Sequence, residues 1–196
     1  SVEDDLANMA AIRAAVGADT ELRIDFNQGY DFETAAYMLR RLPEFGITEA
    51  EQPVPDWDVE NMAKLKPLSP VLLMADESIH SPRDAELVCR MDACHVVNIK
   101  LMKCGGIYNA LKIASAAEVY GVECMIGCML EAKISVNAAV HLACAKQIIT
   151  KIDLDGPVLC SEDPIVGGAV FNEQNITVSN APGLGVTAIE GLRYLD

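Results

Sequence analysis

The sequence predicts an α/β fold, a parallel (β/α) barrel of which it carries about six strand–helix units. Three observations predict it. Segments of strand character alternate with segments of helical periodicity as far as residue 156, the order that sets parallel strands side by side with helices as crossovers. The strand at 71–74 is apolar throughout rather than alternating, as in a sheet covered on both faces. Polar residues also recur at one phase: Glu51 lies 26 residues after Asp25, Asp76 a further 25, Lys100 a further 24, and Asp153 another 53, or two units. Each falls at the C-terminal end of its strand, where α/β folds and barrels build their sites. A dinucleotide-binding sheet is the rival, but no G-x-G-x-x-G follows any strand.

The elements follow in order. Residues 4–17, DDLANMAAIRAAVG, read as an amphipathic helix with Leu6, Met9, Ile12 and Val16 near one face and Gly17 as its stop. ELRIDFN is a strand. YDFETAAYMLRRLPEFG is a helix with Asp31 as N-cap and Thr34 three residues on. ITEAEQP is a short strand, DVENMAKLK a helix and VLLMADE a buried strand. SPRDAELVCRMDA starts on Ser81 as N-cap with Pro82 at the first helical position. HVVNIKL, ECMIGCM and IITKIDLDG are strands, separated by the helices IYNALKIASAAEVYG and AKISVNAAVHLACAK. Beyond DLDG the rhythm breaks: IVGGAVFNEQNITVSN reads as two short strands around a polar turn, and APGLGV as irregular. Residues 1–162 are thus the expected barrel portion, and 163–196 a C-terminal segment packing back on it or on another domain. A closed barrel of this type needs eight strands and six are counted, so the chain reads as the later part of a longer barrel.

Composition narrows the partners. The 196 residues are 51% hydrophobic and 22% charged, a globular balance, with a net charge of -14. With no basic cluster to neutralise phosphates, nucleic acid is not an expected partner. No apolar run reaches membrane-spanning length, so no membrane is expected either. Seven cysteines without zinc-ribbon spacing, beside three histidines, read as buried free thiols of a reducing cytoplasm. His95 and His141 read as structural. A homo-oligomer is compatible with all of this.

The strand ends carry the chemistry. Asp25, Glu51 and Asp76 would converge from three successive strands, where their mutual repulsion calls for a cation. All-oxygen donors suit a hard ion such as Mg²⁺, which takes few carboxylates and keeps positions open for substrate oxygens. Glu49 shares a face with Glu51, and spacing alone does not choose between them; Glu77 is expected on the face opposite to Asp76. Asn27, two residues after Asp25, points the same way and would orient that acid. Lys100 ends an apolar strand, where a lysine partly desolvated beside a dication can serve as a base; a salt bridge to one of the acids is the plainer alternative. In KIDLDGP, Asp153 and Asp155 are spaced to share one face of a strand end. A metal, a lysine of the chain such as Lys151, or a substrate cation could sit between them, or the pair could cap a turn before Pro157. Cys128 and Met129 end another strand and would line the same pocket, with packing as the plainer role for both side chains.

Taken together and in this order, RIDFNQG, EQP, ADES, NIKLMKCGG, DLDG and PGLGV resemble the enolase superfamily, in its muconate-lactonizing-like branch, from about residue 1 to the C-terminus. The resemblance implies the C-terminal portion of a (β/α)7β TIM-like barrel, without the N-terminal capping domain. It implies Mg²⁺ held by Asp25, Glu51 and Asp76, the EQP context selecting Glu51 over Glu49. It implies Lys100 as one acid/base and a second lysine, in a K-x-K strand that the sequence does not contain, as the other. The implied reaction is removal and return of a proton α to a carboxylate. D-x-D on the last barrel strand resembles the dipeptide epimerases, in which it binds a substrate's α-ammonium; Asp153 and Asp155 match it. The resemblance therefore implies an isomerase acting on dipeptides, of L-Ala-D/L-Glu type. Its alternatives are an N-acylamino acid racemase, an o-succinylbenzoate synthase, a cycloisomerase, or a barrel portion with no catalysis of its own.

Overall fold

A computed structural model of the chain describes residues 1–193. They form two compact units, Ser1–Asn98 with Ala116–Glu123, and Ile99–Ser115 with the chain from Cys124 onward.

The first unit opens with α1 (Val2–Val16), whose first turn is closed by a capping box. Ser1 Oγ accepts the Asp4 N–H at 3.3 Å and the Asp4 carboxylate accepts from the Ser1 amine in return. Gly17 ends the helix at φ 82, its N–H reaching Arg13 O. The expected apolar stripe is only partly buried: Met9 is covered, but Ile12 and Val16 remain 50% and 43% exposed. Polar ties hold α1 instead. The Arg13 guanidinium donates to the carbonyls of Phe45 (2.7 Å) and Gly46 (3.2 Å), and Tyr30 donates its hydroxyl to Asp5 at 2.5 Å.

Then come β1 (Leu22–Asp25), α2 (Phe32–Arg41), β2 (Ile47–Glu51), α3 (Val59–Leu65), β3 (Leu72–Ala75), α4 (Pro82–Arg90) and β4 (Val96–Lys100). The helix starts follow from their caps. Asp31 accepts from the Thr34 N–H at 2.8 Å, Asp58 from Asn61 at 3.3 Å, and Ser81 from Asp84 at 3.3 Å with Pro82 beginning the helix. The helix expected to run to Gly46 ends as an α-helix at Arg41. Pro43 has no N–H for the next α-helical bond, so the chain tightens into a 3-10 turn, Leu42–Phe45, and stops on left-handed Gly46.

Strands β1 to β4 pair in parallel, each with the next. In the β1–β2 ladder Leu22 lies opposite Ile47 but Arg23 opposite Glu49, so Thr48 is passed over and Asp25 arrives opposite Glu51. Met38, Leu39, Leu42, Met62, Leu65, Leu73 and Met74 are fully buried between helices and sheet. Burial of each such side chain contributes roughly 1.5–3 kcal/mol.

The second unit takes in the end of β4, a one-turn helix α5 (Leu101–Cys104) where only a turn was expected, most of α6 (Ile107–Val119), β5 (Glu123–Gly127), α7 (Lys133–Ala145) and β6 (Ile149–Asp153). Strands β5 and β6 are parallel. Here too one residue is passed over: Cys124 faces Ile149, Met125 faces Lys151, and Gly127 arrives opposite Asp153.

Past a 3-10 turn, Gly156–Leu159, lie β7 (Ile165–Gly167), β8 (Val170–Asn172), β9 (Asn175–Thr177) and β10 (Val186–Ile189). The β8–β9 hairpin is the expected strand pair. The β7–β10 antiparallel pair is an addition, and Val186, expected in irregular chain, begins its second strand. Buried Asn137 of α7 anchors this region, donating to Leu184 O at 2.6 Å and accepting from Ala169 N at 2.9 Å. Gly167 has no alternative there: at φ 85, a Cβ would meet Gly185 O at 2.4 Å. Residues 194–196 of the expected C-terminal segment lie outside the described residues.

All seven cysteines are free thiols, but not all are buried: Cys144 and Cys160 are exposed and Cys128 is half-buried. Among the described residues no helix is long and apolar enough to cross a membrane.

Candidate active site

Asp25 ends β1, Glu51 ends β2, and Asp76 directly follows β3. One carboxylate oxygen from each lies within 4.8 Å of the others, with Asp25 exposed, Glu51 half-buried and Asp76 buried. The chain turns sharply behind each acid. After Asp25 come two left-handed residues, Asn27 (φ 45) and Gln28 (φ 64), and the Asn27 N–H donates to Asp25 Oδ1 at 2.8 Å. Asn27 therefore orients Asp25 through its backbone, while its own side chain is exposed. Asn98 on β4 donates to Glu51 Oε1 at 2.8 Å. Glu49, 3% exposed, turns to Arg23 at 3.9 Å, so geometry separates it from Glu51 where spacing did not.

Burial, and then the charges of Asp25 and Asp76, push Glu51 up to about 8 against the opposing Asn98 hydrogen bond. Glu77 is half-buried, and burial first and then the charges of Asp76 and Asp25 raise its carboxyl. Three crowded carboxylates, one of them holding its proton near neutral pH for want of a countercharge, fit a hard divalent cation with oxygen ligands.

In the second unit the acids are arranged otherwise. Asp153 closes β6, but the strand stops there, and Asp155 sits in helical backbone (φ −83, ψ −10) leading into the 3-10 turn. The strand-face argument for the pair therefore does not extend to Asp155. The two still lie on one side of the chain: Leu154 between them is 4% exposed and both acids are exposed. Both reach Cys128. Its Sγ is 3.9 Å from Asp155 Oδ1, and its thiol is raised by burial first and then by Asp155, Glu131 and Asp153.

Glu131 is a residue that the sequence reading passed over. It is buried, accepts from the Met129 N–H at 2.8 Å and bonds the Ser135 hydroxyl, so it fixes the turn that carries Cys128 and Met129. Its only signal in the sequence is an acid closing an apolar run, CMLE, just before a helix. Lys100 is the last residue of β4 and half-buried, two residues after Asn98 and hence on the same face of that strand. His95 is structural as expected, its Nδ1 accepting from the Leu73 N–H at 2.9 Å.

Acids at the ends of consecutive parallel strands are the arrangement on which α/β barrels build their sites. Residues 1–191 match the enolase C-terminal domain-like family, and the chain belongs to that family. Its fold is the C-terminal barrel portion of the enolase superfamily, as expected. Over 187 residues it is 54% identical to the L-Ala-D/L-Glu epimerase of Clostridium acetobutylicum, covering 94% of this chain and 52% of that protein. A substrate-liganded structure of the L-Ala-D/L-Glu epimerase from Bacillus subtilis is similar at 38% identity and a TM-score of 0.94, over 96% of this chain and 53% of that one. The dipeptide epimerase from Enterococcus faecalis V583, complexed with Mg and the dipeptide L-Leu-L-Tyr, is similar at 40% identity and a TM-score of 0.91, over 95% of this chain and 53% of that one. The chain spans about half the length of the relatives it matches.

Proposed function

We propose that this chain supplies the catalytic barrel of a Mg²⁺-dependent dipeptide epimerase, residues 1–162 forming the barrel portion and 163–196 a C-terminal segment that packs on it or on a capping domain. The observation that carries the reading is the pair Asp153 and Asp155, exposed on either side of buried Leu154, with Asp155 beside Cys128. Two carboxylates so placed can share the three donors of a substrate ammonium, whereas an acid substrate without a cation would be repelled.

Asp25, Glu51 and Asp76 would hold the metal, with Asn27 orienting Asp25. A bound Mg²⁺ supplies positive charge for the oxygens of the substrate carboxylate, which lowers the cost of removing the adjacent α-proton. Lys100, as the neutral amine, takes that proton; the C–H electron pair passes toward the carboxylate oxygens. A second base on the opposite face, the K-x-K lysine that the resemblance implies, returns a proton and inverts the carbon. Cys128 and Met129 would wall the pocket around the ammonium end.

The test is α-proton exchange by the intact protein in deuterated water with Mg²⁺, across a dipeptide panel that includes L-Ala-L-Glu. Exchange on dipeptides bearing a free ammonium is expected. No exchange on any dipeptide, or equal exchange on N-acylated amino acids, overturns the reading.

A further inference from the structure

Gln52 follows Glu51 at φ 34 and is 0% exposed. Its side chain is fully engaged. Oε1 accepts from the Asp76 N–H at 2.9 Å and the Ser78 N–H at 3.2 Å; Nε2 donates to Ser78 Oγ and to Val54 O, both at 2.9 Å. A primary amide offers two donors and an acceptor with two lone pairs, so all its capacity is used within one unit. The backbone of Gln52 extends the tie: its N–H donates to Met74 O at 2.9 Å, and its carbonyl accepts from the Gln28 N–H at 2.8 Å. Gln28 Oε1 in turn accepts from the Asp56 N–H, and Ser78 Oγ donates to Asp56 O. One residue therefore joins the turns that follow Asp25, Glu51 and Asp76.

We propose that Gln52 is a positioning residue for the cation site, fixing the Glu51–Asp76 spacing so that the three acids are assembled before a cation arrives. This rests on reading the triad as a cation site. The physical reason is the charge. Carboxylates this close repel one another, and flexible turns behind them would let them spread. Folding meets that cost once if a saturated buried amide holds the turns, and the left-handed backbone at Gln52 is strain of the kind that only such bonding sustains. The residue type is specific: leucine would leave the Asp76 and Ser78 amides without their acceptor, and glutamate would lose both donated bonds.

The experiment uses the intact protein with Gln52→Leu, and Asn137→Leu as a control for an equally buried amide away from the acids. Mg²⁺ affinity is measured by calorimetry on folded samples, and amide hydrogen exchange is followed without metal. Gln52→Leu is expected to weaken Mg²⁺ binding about 10- to 100-fold and to speed exchange at Asp76 and Ser78. Asn137→Leu is expected to lower the melting temperature with Mg²⁺ affinity unchanged. If Gln52→Leu does not fold, Ser78→Ala removes only the hydroxyl that Nε2 reaches and should weaken Mg²⁺ binding severalfold. Wild-type affinity in whichever of these two variants folds overturns the proposal. Absence of Mg²⁺ binding in the unsubstituted protein would instead overturn the cation-site reading. Slow exchange at Asp76 and Ser78 that Gln52→Leu accelerates, or fails to, would still decide whether Gln52 holds the turns.

Discussion

Asp25, Glu51 and Asp76 leave three neighbouring strands and are braced from behind by Asn27, Asn98 and Gln52, whereas Asp153 and Asp155 leave one segment and stand exposed on either side of Leu154. In the first group burial, and then the neighbouring charges, hold Glu51 protonated near neutral pH. The second stands beside the Cys128 thiol, which burial first and then these charges raise. The contrast matches two kinds of cation. A small dication needs its ligands preset, because each must desolvate and take a defined direction. An ammonium on a substrate brings three rotatable donors and can be met by exposed carboxylates that adjust to it.

Four measurements on the intact protein would break or sharpen this contrast. The largest effect is expected outside both acid groups: Lys100→Ala should lower α-proton exchange about 100- to 10,000-fold with Mg²⁺ affinity retained, as read by exchange kinetics and calorimetry on one sample. Asp153→Asn comes next. Losing a charge-assisted bond costs about 1.5–3 kcal/mol, so kcat/KM on dipeptides should fall about 10- to 150-fold, again without change in Mg²⁺ affinity; a parallel loss of metal binding would erase the distinction between the groups.

The third concerns pH. Glu51 in the folded, metal-free protein titrates near 8, above its unfolded value. Between about pH 4.5 and 8 Glu51 therefore holds more proton in the native state than in the unfolded one, and its contribution to stability falls as pH rises through that window. Mg²⁺ should reverse the trend and release protons on binding, which denaturation series with and without the ion would show. The smallest effect is Asp31→Ala, which removes the cap of α2 from Thr34. It should cost about 1 kcal/mol in denaturant unfolding and alter neither Mg²⁺ affinity nor exchange.

Much of the fold is legible because a strand such as Leu72–Ala75 is apolar to its last residue, so the polar residue that follows, Asp76, marks the strand end. Caps are equally local: Asp31 and Ser81 declare the helices they start. What escaped depends on partners distant in the chain. Periodicity could not separate Glu49 from Glu51, because the difference is Arg23 on another strand. The pairing of β7 with β10 joins strands of three and four residues, too short for alternation to show. In α1, Ile12 and Val16 follow helical spacing yet stay exposed, since Arg13 and Asp5 fasten the helix by polar bonds that no hydrophobic pattern records. Gln52 was visible only as the middle letter of EQP.

The residues passed over in the two ladders, Thr48 and Thr150, both come early in their strands. Because side chains alternate, one surplus residue reverses which side every later residue of the strand takes relative to its neighbour. Had each ladder run on without passing a residue over, Asp25 would stand opposite Ala50 and Gly127 opposite Ile152. The threonines thus absorb the offset at the strand entrances, far from the acids. Deleting either one would leave Arg23 next in line for Glu49 and Met125 for Lys151, so the far ends would keep their partners: the entrance of each strand has slack that its exit does not feel.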